Sequence, residues 1–148
     1  MPASNASTIP PPTAGASPTA RTILVVDDDK AVLHSLSILL EDLGFRVVTA
    51  ADGVQALKRF RESPPDLTLT DIIMPEKEGI GLIMELRRAH PGAKIIAMSG
   101  GGRVGNTDFV EIATALGADA GLQKPFDDVQ LAATLRSVLE GKAAASAA

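Results

Sequence analysis

Three carboxylates and one lysine stand where apolar, strand-like runs come to an end. Asp27 and Asp28 follow the run at 22–26. Asp71 follows a second run, and Lys124 follows a third. The carboxyl ends of parallel strands open into a single crevice, so these side chains are expected to meet there. Carboxylates at such short distances repel one another unless a cation lies among them. Mg²⁺ takes oxygen ligands and keeps several waters, so the pattern predicts a magnesium site that handles a phosphoryl group.

An alternation of strand-like and helical segments supplies the framework that these residues need. Apolar runs of strand length are found at 22–26, 45–50, 66–70, 94–98 and 118–123. A helical spacing of apolar residues follows each of these runs, and five strands that each lead into a helix imply an all-parallel sheet covered on both faces. The second strand is more polar, as expected of an edge strand. We therefore predict an α/β, flavodoxin-like, doubly wound fold with five parallel strands in the order 2-1-3-4-5 and five helices.

Composition limits the class of protein. The 148 residues suit one domain, and a net charge of −4 with a pI near 5.1 argues against a nucleic-acid-binding surface. The chain has no cysteine, which excludes disulfides and cysteine-based metal sites. Its apolar runs fall short of the roughly 20 residues of a membrane span. We therefore expect a cytoplasmic protein that binds neither nucleic acid nor membrane.

Both ends of the chain differ in composition from the part between them. Residues 1–20 hold five of the ten prolines and no charged side chain. Such a stretch cannot bury enough surface to offset its ordering entropy, and it lacks the basic start and continuous apolar segment of a secretory signal. We predict a disordered arm at 1–20, a folded domain at 21–141 and a frayed tail at 142–148.

Short motifs identify the family that this domain resembles. Residues 22–140 are similar to the receiver domain of two-component response regulators, which has the CheY-like form of the flavodoxin-like fold. The matching motifs are ILVVDDD at 23–29, DIIMP at 71–75, MSG at 98–100, GAD at 117–119 and KPF at 124–126. The resemblance covers most of the chain and leaves no room for an output domain, so we expect a stand-alone receiver.

The resemblance implies that Asp71 accepts a phosphoryl group from a phosphohistidine on a partner, either a sensor histidine kinase or a histidine phosphotransfer protein. The carboxylate would attack phosphorus to form an acyl phosphate, which is nucleophilic catalysis by an aspartate. Lys124 would supply positive charge beside the phosphoryl oxygens, and Ser99 would donate its hydroxyl to one of them. The chain would then signal through contacts with a downstream protein, as a phospho-accepting domain rather than an enzyme.

The resemblance also implies a Mg²⁺ site. The carboxylates of Asp28 and Asp71 would bind the ion directly and Asp27 mainly through water. The backbone carbonyl of Ile73 would add a further ligand. A fixed cation is an effective way to offset charge on phosphoryl oxygens. Asp29, the third acid of its run, is interpreted instead as the N-cap of the first helix.

Gly121 and the loop 99–106 depart from the family pattern. Gly121 stands where relatives usually place a tyrosine or phenylalanine that moves inward on phosphorylation. The loop 99–106 is longer than usual and holds a G-x-G-x-x-G sequence from Gly100 to Gly105, although a dinucleotide-binding fingerprint should follow the first strand. We interpret the loop as mobile, because glycine carries a large backbone entropy. We expect it to become ordered when Ser99 engages the phosphoryl group.

Three other functions are open. A haloacid-dehalogenase-type phosphatase would use a nucleophile in the Asp-x-Asp of its first strand and a cap over the site, for which the chain has no space. A flavodoxin-type cofactor binder would need aromatic side chains to sandwich a flavin, and the chain has no tyrosine or tryptophan. A pseudo-receiver scaffold that never accepts phosphate is the strongest rival, because of Gly121.

Overall fold

A parallel sheet of five strands organises the chain. The computed structural model describes residues 21–72, 78–99, 103–104, 107–124 and 126–140. In chain order the strands are β1 (Thr22–Val26), β2 (Arg46–Ala50), β3 (Leu67–Asp71), β4 (Ile95–Ser99), β5 (Arg103–Val104), β6 (Thr107–Asp108) and β7 (Ala120–Gln123). The sheet has the order β2-β1-β3-β4-β7, and its neighbouring strands are all parallel. The predicted order 2-1-3-4-5 is confirmed, with β7 as the fifth strand.

Five helices connect these strands, as predicted. They are α1 (Lys30–Asp42), α2 (Gly53–Glu62), α3 (Glu78–Ala89), α4 (Phe109–Leu116) and α5 (Asp128–Leu139). Observed strand ends lie within two residues of the predicted ones, which is the usual uncertainty of element boundaries. None of the described helices is both long and apolar enough to cross a membrane.

Successive side chains of the sheet pack into two apolar layers. Ile23 and Val25 lie in the layer that contains α1 and α5 residues, whereas Leu24 and Val26 lie in the layer that contains α2 and α3 residues. All four side chains are at most 1% exposed. Full burial of such a side chain contributes about 1.5–3 kcal/mol. Burial on both faces also explains why β1 is apolar at every position rather than at alternate ones.

Side-chain caps start three helices at the carboxyl edge of the sheet, and at the start of α2 Asp52 accepts the backbone N–H of Gln55 at 2.8 Å. Asp29 accepts hydrogen bonds from the backbone N–H groups of Ala31, at 2.9 Å, and Val32, at 3.3 Å, so the predicted N-cap is confirmed. Asp127 and Gln130 form a reciprocal capping box at the start of α5. Each cap contributes roughly 1 kcal/mol and fixes where its helix begins relative to the preceding strand.

The glycine-rich segment after β4 includes strand pairing that the sequence analysis did not predict. β5 and β6 form an antiparallel pair, with residues 103–104 opposite 107–108, and β6 leads directly into α4. The other residues of the predicted mobile loop, 100–102 and 105–106, lie outside the described residues. The predicted arm and tail at the two chain ends also lie outside them, so disorder there stays a prediction.

Two glycines with positive φ follow the ends of helices α1 and α4. The φ angle is +97° at Gly44 and +130° at Gly117. A Cβ at Gly44 would meet no atom within 4 Å, whereas a Cβ at Gly117 would lie 3.2 Å from Cβ and Cγ of Arg87. We expect Gly44→Ala to lower the free energy of unfolding by about 1 kcal/mol through backbone strain alone. We expect Gly117→Ala to lower it by about 2–3 kcal/mol, because steric crowding adds to the strain.

Urea denaturation of the two variants measures this difference. Gly44→Ala serves as the matched control, since it places the same methyl group on a positive-φ backbone with open space around it. Equal losses of stability would show that the contact with Arg87 adds nothing.

Candidate functional site

Three carboxylates come together at the carboxyl edge of the sheet. Asp27 follows β1 and Asp71 ends β3, and these two strands are hydrogen-bonded neighbours. Carboxylate oxygens of Asp27, Asp28 and Asp71 all lie within 4.8 Å of one another. Asp27 is 1% exposed and Asp71 is 7% exposed, while Asp28 is exposed. The cluster therefore has a buried floor and one carboxylate that faces solvent.

Lys124 is the positive group of this cluster. Its Nζ lies 3.0 Å from Oδ2 of Asp27 and 3.5 Å from Oδ2 of Asp71. Burial alone lowers the pKa of Lys124, but the hydrogen bond to Asp27 and the charges of Asp71 and Asp27 outweigh it and raise the pKa above its ordinary value of 10.5. Lys124 is therefore charged at neutral pH, and it pairs more closely with Asp27 than with Asp71.

Both oxygens of the Asp27 carboxylate have a donor. The backbone N–H of Asp29 donates to Oδ1 at 2.9 Å, and Lys124 donates to Oδ2. Asp29 thus caps α1 with its side chain and holds Asp27 with its main chain. The sequence predicts only the first of these roles, since a turn between residues i and i+2 leaves no separate pattern in a run of three acids.

Ser99 lies at the same edge, where the sequence predicted it. It is the last residue of β4, is 1% exposed, and pairs in register with Gln123 of β7. Its carbonyl oxygen accepts a hydrogen bond from the backbone N–H of Lys124 at 2.6 Å. This bond fixes the main chain of the lysine beside the end of β4. Ile73, the predicted carbonyl ligand, lies outside the described residues.

Thr70 makes a contact at the site that the sequence analysis missed. Its hydroxyl is fully buried and donates to the carbonyl oxygen of Asp71 at 3.1 Å. A polar residue inside an otherwise apolar buried strand could have signalled such a role, because buried hydroxyls need a partner. The contact restrains the backbone of the residue that carries the candidate nucleophile.

The donor set of the cluster fits Mg²⁺. All three side chains offer carboxylate oxygens, which are the ligands that this hard cation prefers. Among the described residues of the cluster, three carboxylates outnumber the ammonium of Lys124, so a divalent cation would offset the excess of negative charge. Asp28 is the carboxylate that a cation from solvent reaches first, since it is exposed.

Sequence relatives correct one prediction. The chain is 41% identical over 117 residues to the transcriptional regulatory protein CpxR of Escherichia coli, which covers 79% of this chain and 48% of that protein. It is 39% identical over 119 residues to the DNA-binding response regulator MtrA of Mycobacterium bovis, covering 79% and 50% of the two chains. The chain thus spans about half the length of these relatives.

The expected set of partners, which excluded nucleic acid, is therefore wrong. Relatives that share the matched region are named as transcriptional and DNA-binding regulators. The exclusion rested on the acidic composition of this chain, which does not describe the part of each relative that lies beyond the shared region. About half of each relative lies beyond it, so the charge of the shared region has no bearing on whether the whole protein binds DNA.

Solved structures and a family model agree on what the shared region is. A receiver domain protein from Methanospirillum hungatei superimposes with a TM-score of 0.73 at 31% identity and covers 82% of this chain and 95% of its own. The chemotaxis protein CheY4 of Vibrio cholerae gives 0.73 at 28% identity, covering 81% and 99%. The family model described as "Response regulator receiver domain" matches residues 23–136. With the acid cluster and Lys124 at the carboxyl edge of a sheet of this order, the chain belongs to the family of response regulator receiver domains.

Proposed function

We propose that this receiver domain accepts a phosphoryl group from a phosphohistidine onto the carboxylate of Asp71, in a reaction that requires Mg²⁺. The observation that carries the proposal is the position of Asp71. It ends a buried strand, lies within 4.8 Å of two other carboxylates and is 3.5 Å from the ammonium of Lys124. A receiver domain is a signalling domain, and the only reaction that this proposal assigns to it is the modification of its own Asp71.

The residues of the chain divide the work of this transfer. A carboxylate oxygen of Asp71 attacks phosphorus and forms the O–P bond of an acyl phosphate. The bond from phosphorus to the donor's imidazole nitrogen breaks, and its electron pair returns to that nitrogen. Lys124 supplies positive charge for the phosphoryl oxygens. Ser99, fixed at the end of β4, is the residue proposed to donate a hydroxyl hydrogen bond to one of them.

The metal would be held by Asp28 and Asp71, with Asp27 acting mainly through water and the backbone carbonyl of Ile73 as a further proposed ligand. When bound, Mg²⁺ offsets the negative charge that collects on the phosphoryl oxygens. Asp27 is suited to an indirect role because both of its oxygens already accept hydrogen bonds, from Asp29 and Lys124.

A cytoplasmic location belongs to the same proposal and rests on the family and on the absence of cysteine from the chain.

The same contacts count against the phosphatase alternative. That enzyme class would need its nucleophile after the first strand, at Asp27. The side chain of Asp27 is 1% exposed, compared with 10% for that of Asp71, and both its oxygens have donors. Attack on an incoming phosphate ester would require Asp27 to leave these partners, whereas Asp71 is the more accessible of the two.

Intact mass after incubation with Mg²⁺ and acetyl phosphate tests the proposal. We expect wild type to gain one phosphoryl group and Asp71→Ala to gain none. Asp27→Ala, which removes an acid from the same cluster, controls for a general loss of charge and should still be modified, although more slowly. A folded wild-type protein that stays unmodified both with acetyl phosphate and with a phosphorylated histidine kinase would favour the pseudo-receiver scaffold.

A further inference from the structure

The sheet ends at β2, which pairs with β1 and with no other strand among the described residues. The N–H of Arg46 donates to the carbonyl oxygen of Arg21, directly before β1, at 2.9 Å. At the other end of β2, the carbonyl oxygen of Ala50 accepts a hydrogen bond from the residue that follows β1. Main-chain groups of successive strand residues point to opposite sides, so those of Val47 and Thr49 point away from β1. β2 therefore presents two N–H and two carbonyl groups along an open edge.

An arginine from α2 covers one of these four groups. Nε of Arg59 donates to the carbonyl oxygen of Thr49 at 3.3 Å, which is longer than the usual N–H···O distance of about 2.9–3.0 Å. Arg59 is exposed, so water competes for both partners of this bond. A charged side chain over an edge strand hinders unwanted pairing, but a bond this long and this exposed is readily exchanged for a closer one.

Two guanidinium groups lie at this edge, and neither has a carboxylate partner among the described residues. Arg46 lies on the α2 face of β2, because Val48, two positions further on, packs in the apolar layer that contains α2 residues. Nε of Arg46 is buried and has no acceptor in the described part of the chain. Lys58 adds a positive charge next to Arg59, and Glu62 is the only acid within β2 and α2. The edge is therefore locally positive in a chain whose net charge is −4.

An extended segment from another protein is the occupant that fits this edge. Residues 1–20 contain no charged side chain, and residues 141–148 contain one lysine and no acid, so neither segment has carboxylate side chains for the two arginines. A second copy joined at β2 would bring like charges opposite one another, which is unfavourable. A nucleic-acid backbone would offer phosphate oxygens to the arginines but no donors to the outward carbonyl groups, whereas a peptide strand has both donors and acceptors.

We propose that the β2 edge binds an extended peptide segment of a partner protein that carries acidic residues at alternate positions. The main chain of the segment pairs with Val47 and Thr49 and adds a strand to the sheet. Since alternate side chains of a strand share one face, its carboxylates all reach the α2 face. There they bind Arg46 and draw Arg59 away from the carbonyl oxygen of Thr49, which then accepts an N–H of the segment. This binding does not depend on the proposed phosphorylation, because β2 contributes no residue to the candidate site.

Fluorescence anisotropy of a labelled peptide that alternates glutamate and valine, titrated with the full chain, tests the role of the charges. We expect saturable binding by wild type. We expect affinity to fall about tenfold in Arg46→Gln and in Arg59→Gln, because each removes hydrogen bonds between charged groups. Arg136→Gln is the matched control, since it removes an exposed arginine from α5 and should bind the peptide as wild type does. A peptide that alternates lysine and valine should not bind.

Amide hydrogen exchange and a proline substitution test the main-chain pairing. Bound peptide should slow exchange at Val47 and Thr49 about fivefold or more and leave Val48, whose N–H points toward β1, unchanged. Val47→Pro removes an outward N–H without removing a bond to β1, and it should weaken binding about tenfold or more. Val47→Ala keeps the N–H and should bind as wild type does. If Val47→Pro did not fold, the alternating protection in wild type would still decide.

Four results would each overturn the proposal. Wild type could show no saturable binding up to about 1 mM peptide, or binding that Arg46→Gln and Arg59→Gln do not weaken. Exchange could slow equally at Val47, Val48 and Thr49, which would exclude an added strand. Oligothymidylate could bind as tightly as the glutamate peptide, which would identify a general surface for polyanions. Protection of Val47 and Thr49 could rise with protein concentration in the absence of peptide, which would identify a second copy as the occupant.

Discussion

Lys124→Met is expected to lower the free energy of unfolding by about 2 kcal/mol in metal-free buffer and to slow phosphorylation of Asp71 about 100-fold. The loss of stability follows from Asp27, which is 1% exposed and would be left without the ammonium that lies 3.0 Å away in wild type. Removing one partner of a fully buried pair costs roughly 3–5 kcal/mol, and we expect less because the lysine side chain is 24% exposed. Urea denaturation and the rate of mass gain with acetyl phosphate measure the two effects.

A second substitution distinguishes the loss of attraction between Lys124 and Asp27 from the cost of leaving a buried carboxylate without its cation. In wild type, Asp27→Asn removes the carboxylate that Lys124 binds most closely and should destabilise the protein. In the Lys124→Met background the same change removes an unpaired buried charge and should stabilise it. Such a reversal of sign is the mark of coupling in a double-mutant cycle. If Asp27→Asn changed stability by the same amount in both backgrounds, the ion pair would not be the reason for the loss in Lys124→Met.

The pH dependence of this pair has a definite direction. The folded protein raises the pKa of Lys124 above its ordinary value of 10.5, because the hydrogen bond to Asp27 and the neighbouring carboxylate charges outweigh the opposing effect of burial. Because folding raises the pKa of this base, the stabilisation is fully present below the pKa that the lysine has in the unfolded chain. It is lost as the pH rises through the pKa that the lysine has in the folded protein. The stability difference between wild type and Lys124→Met should therefore hold from pH 7 to about 10 and shrink at higher pH.

The sheet was predictable because burial on both faces produces a recognisable pattern of apolar residues in the sequence. Strands such as β1 and β4 are apolar at nearly every position, and strand-end acids and the lysine then fall at one edge by topology alone. The N-cap at Asp29 was predictable for a similar reason, since capping depends on residues within one helical turn. Local periodicity and strand order thus account for the fold and for which side chains share the site.

Contacts that depend on exact distances were not predictable. Nothing in the sequence indicates that Lys124 lies closer to Asp27 than to Asp71, because both acids stand at the same edge. The β5–β6 pair is built from two-residue strands in a glycine-rich segment, too short for an alternating pattern. The hydrogen bonds from the Arg87 guanidinium to the carbonyl oxygen of Gly117 join residues about thirty positions apart, and an arginine in the last turn of a helix equally suits a solvated, dipole-favoured position.

Asp28→Asn is expected to remove at least half of the stabilisation that Mg²⁺ gives to the fold and to leave the metal-free protein no less stable than wild type. Asp28 is exposed and lies within 4.8 Å of two other carboxylates, so its neutralisation in metal-free buffer relieves repulsion. A ligand that binds only the folded state at 100 times its Kd stabilises it by about 2.7 kcal/mol. If Asp28 is a direct ligand, its replacement should weaken binding at least tenfold, which removes about 1.4 kcal/mol of that gain. Urea denaturation with and without saturating Mg²⁺ measures the loss.

Asp42→Asn controls for the change of net charge, because it removes one exposed carboxylate at the far end of α1. It should keep the full Mg²⁺ effect and the wild-type rate of phosphorylation, whereas Asp28→Asn should lose both. Equal losses in the two variants would mean that the ion responds to overall charge rather than to a site. If Asp28→Asn kept the Mg²⁺ effect while Asp27→Asn lost it, the ion would be held at the buried floor of the cluster. The direct ligand would then be Asp27, and the two adjacent acids would exchange the roles proposed here.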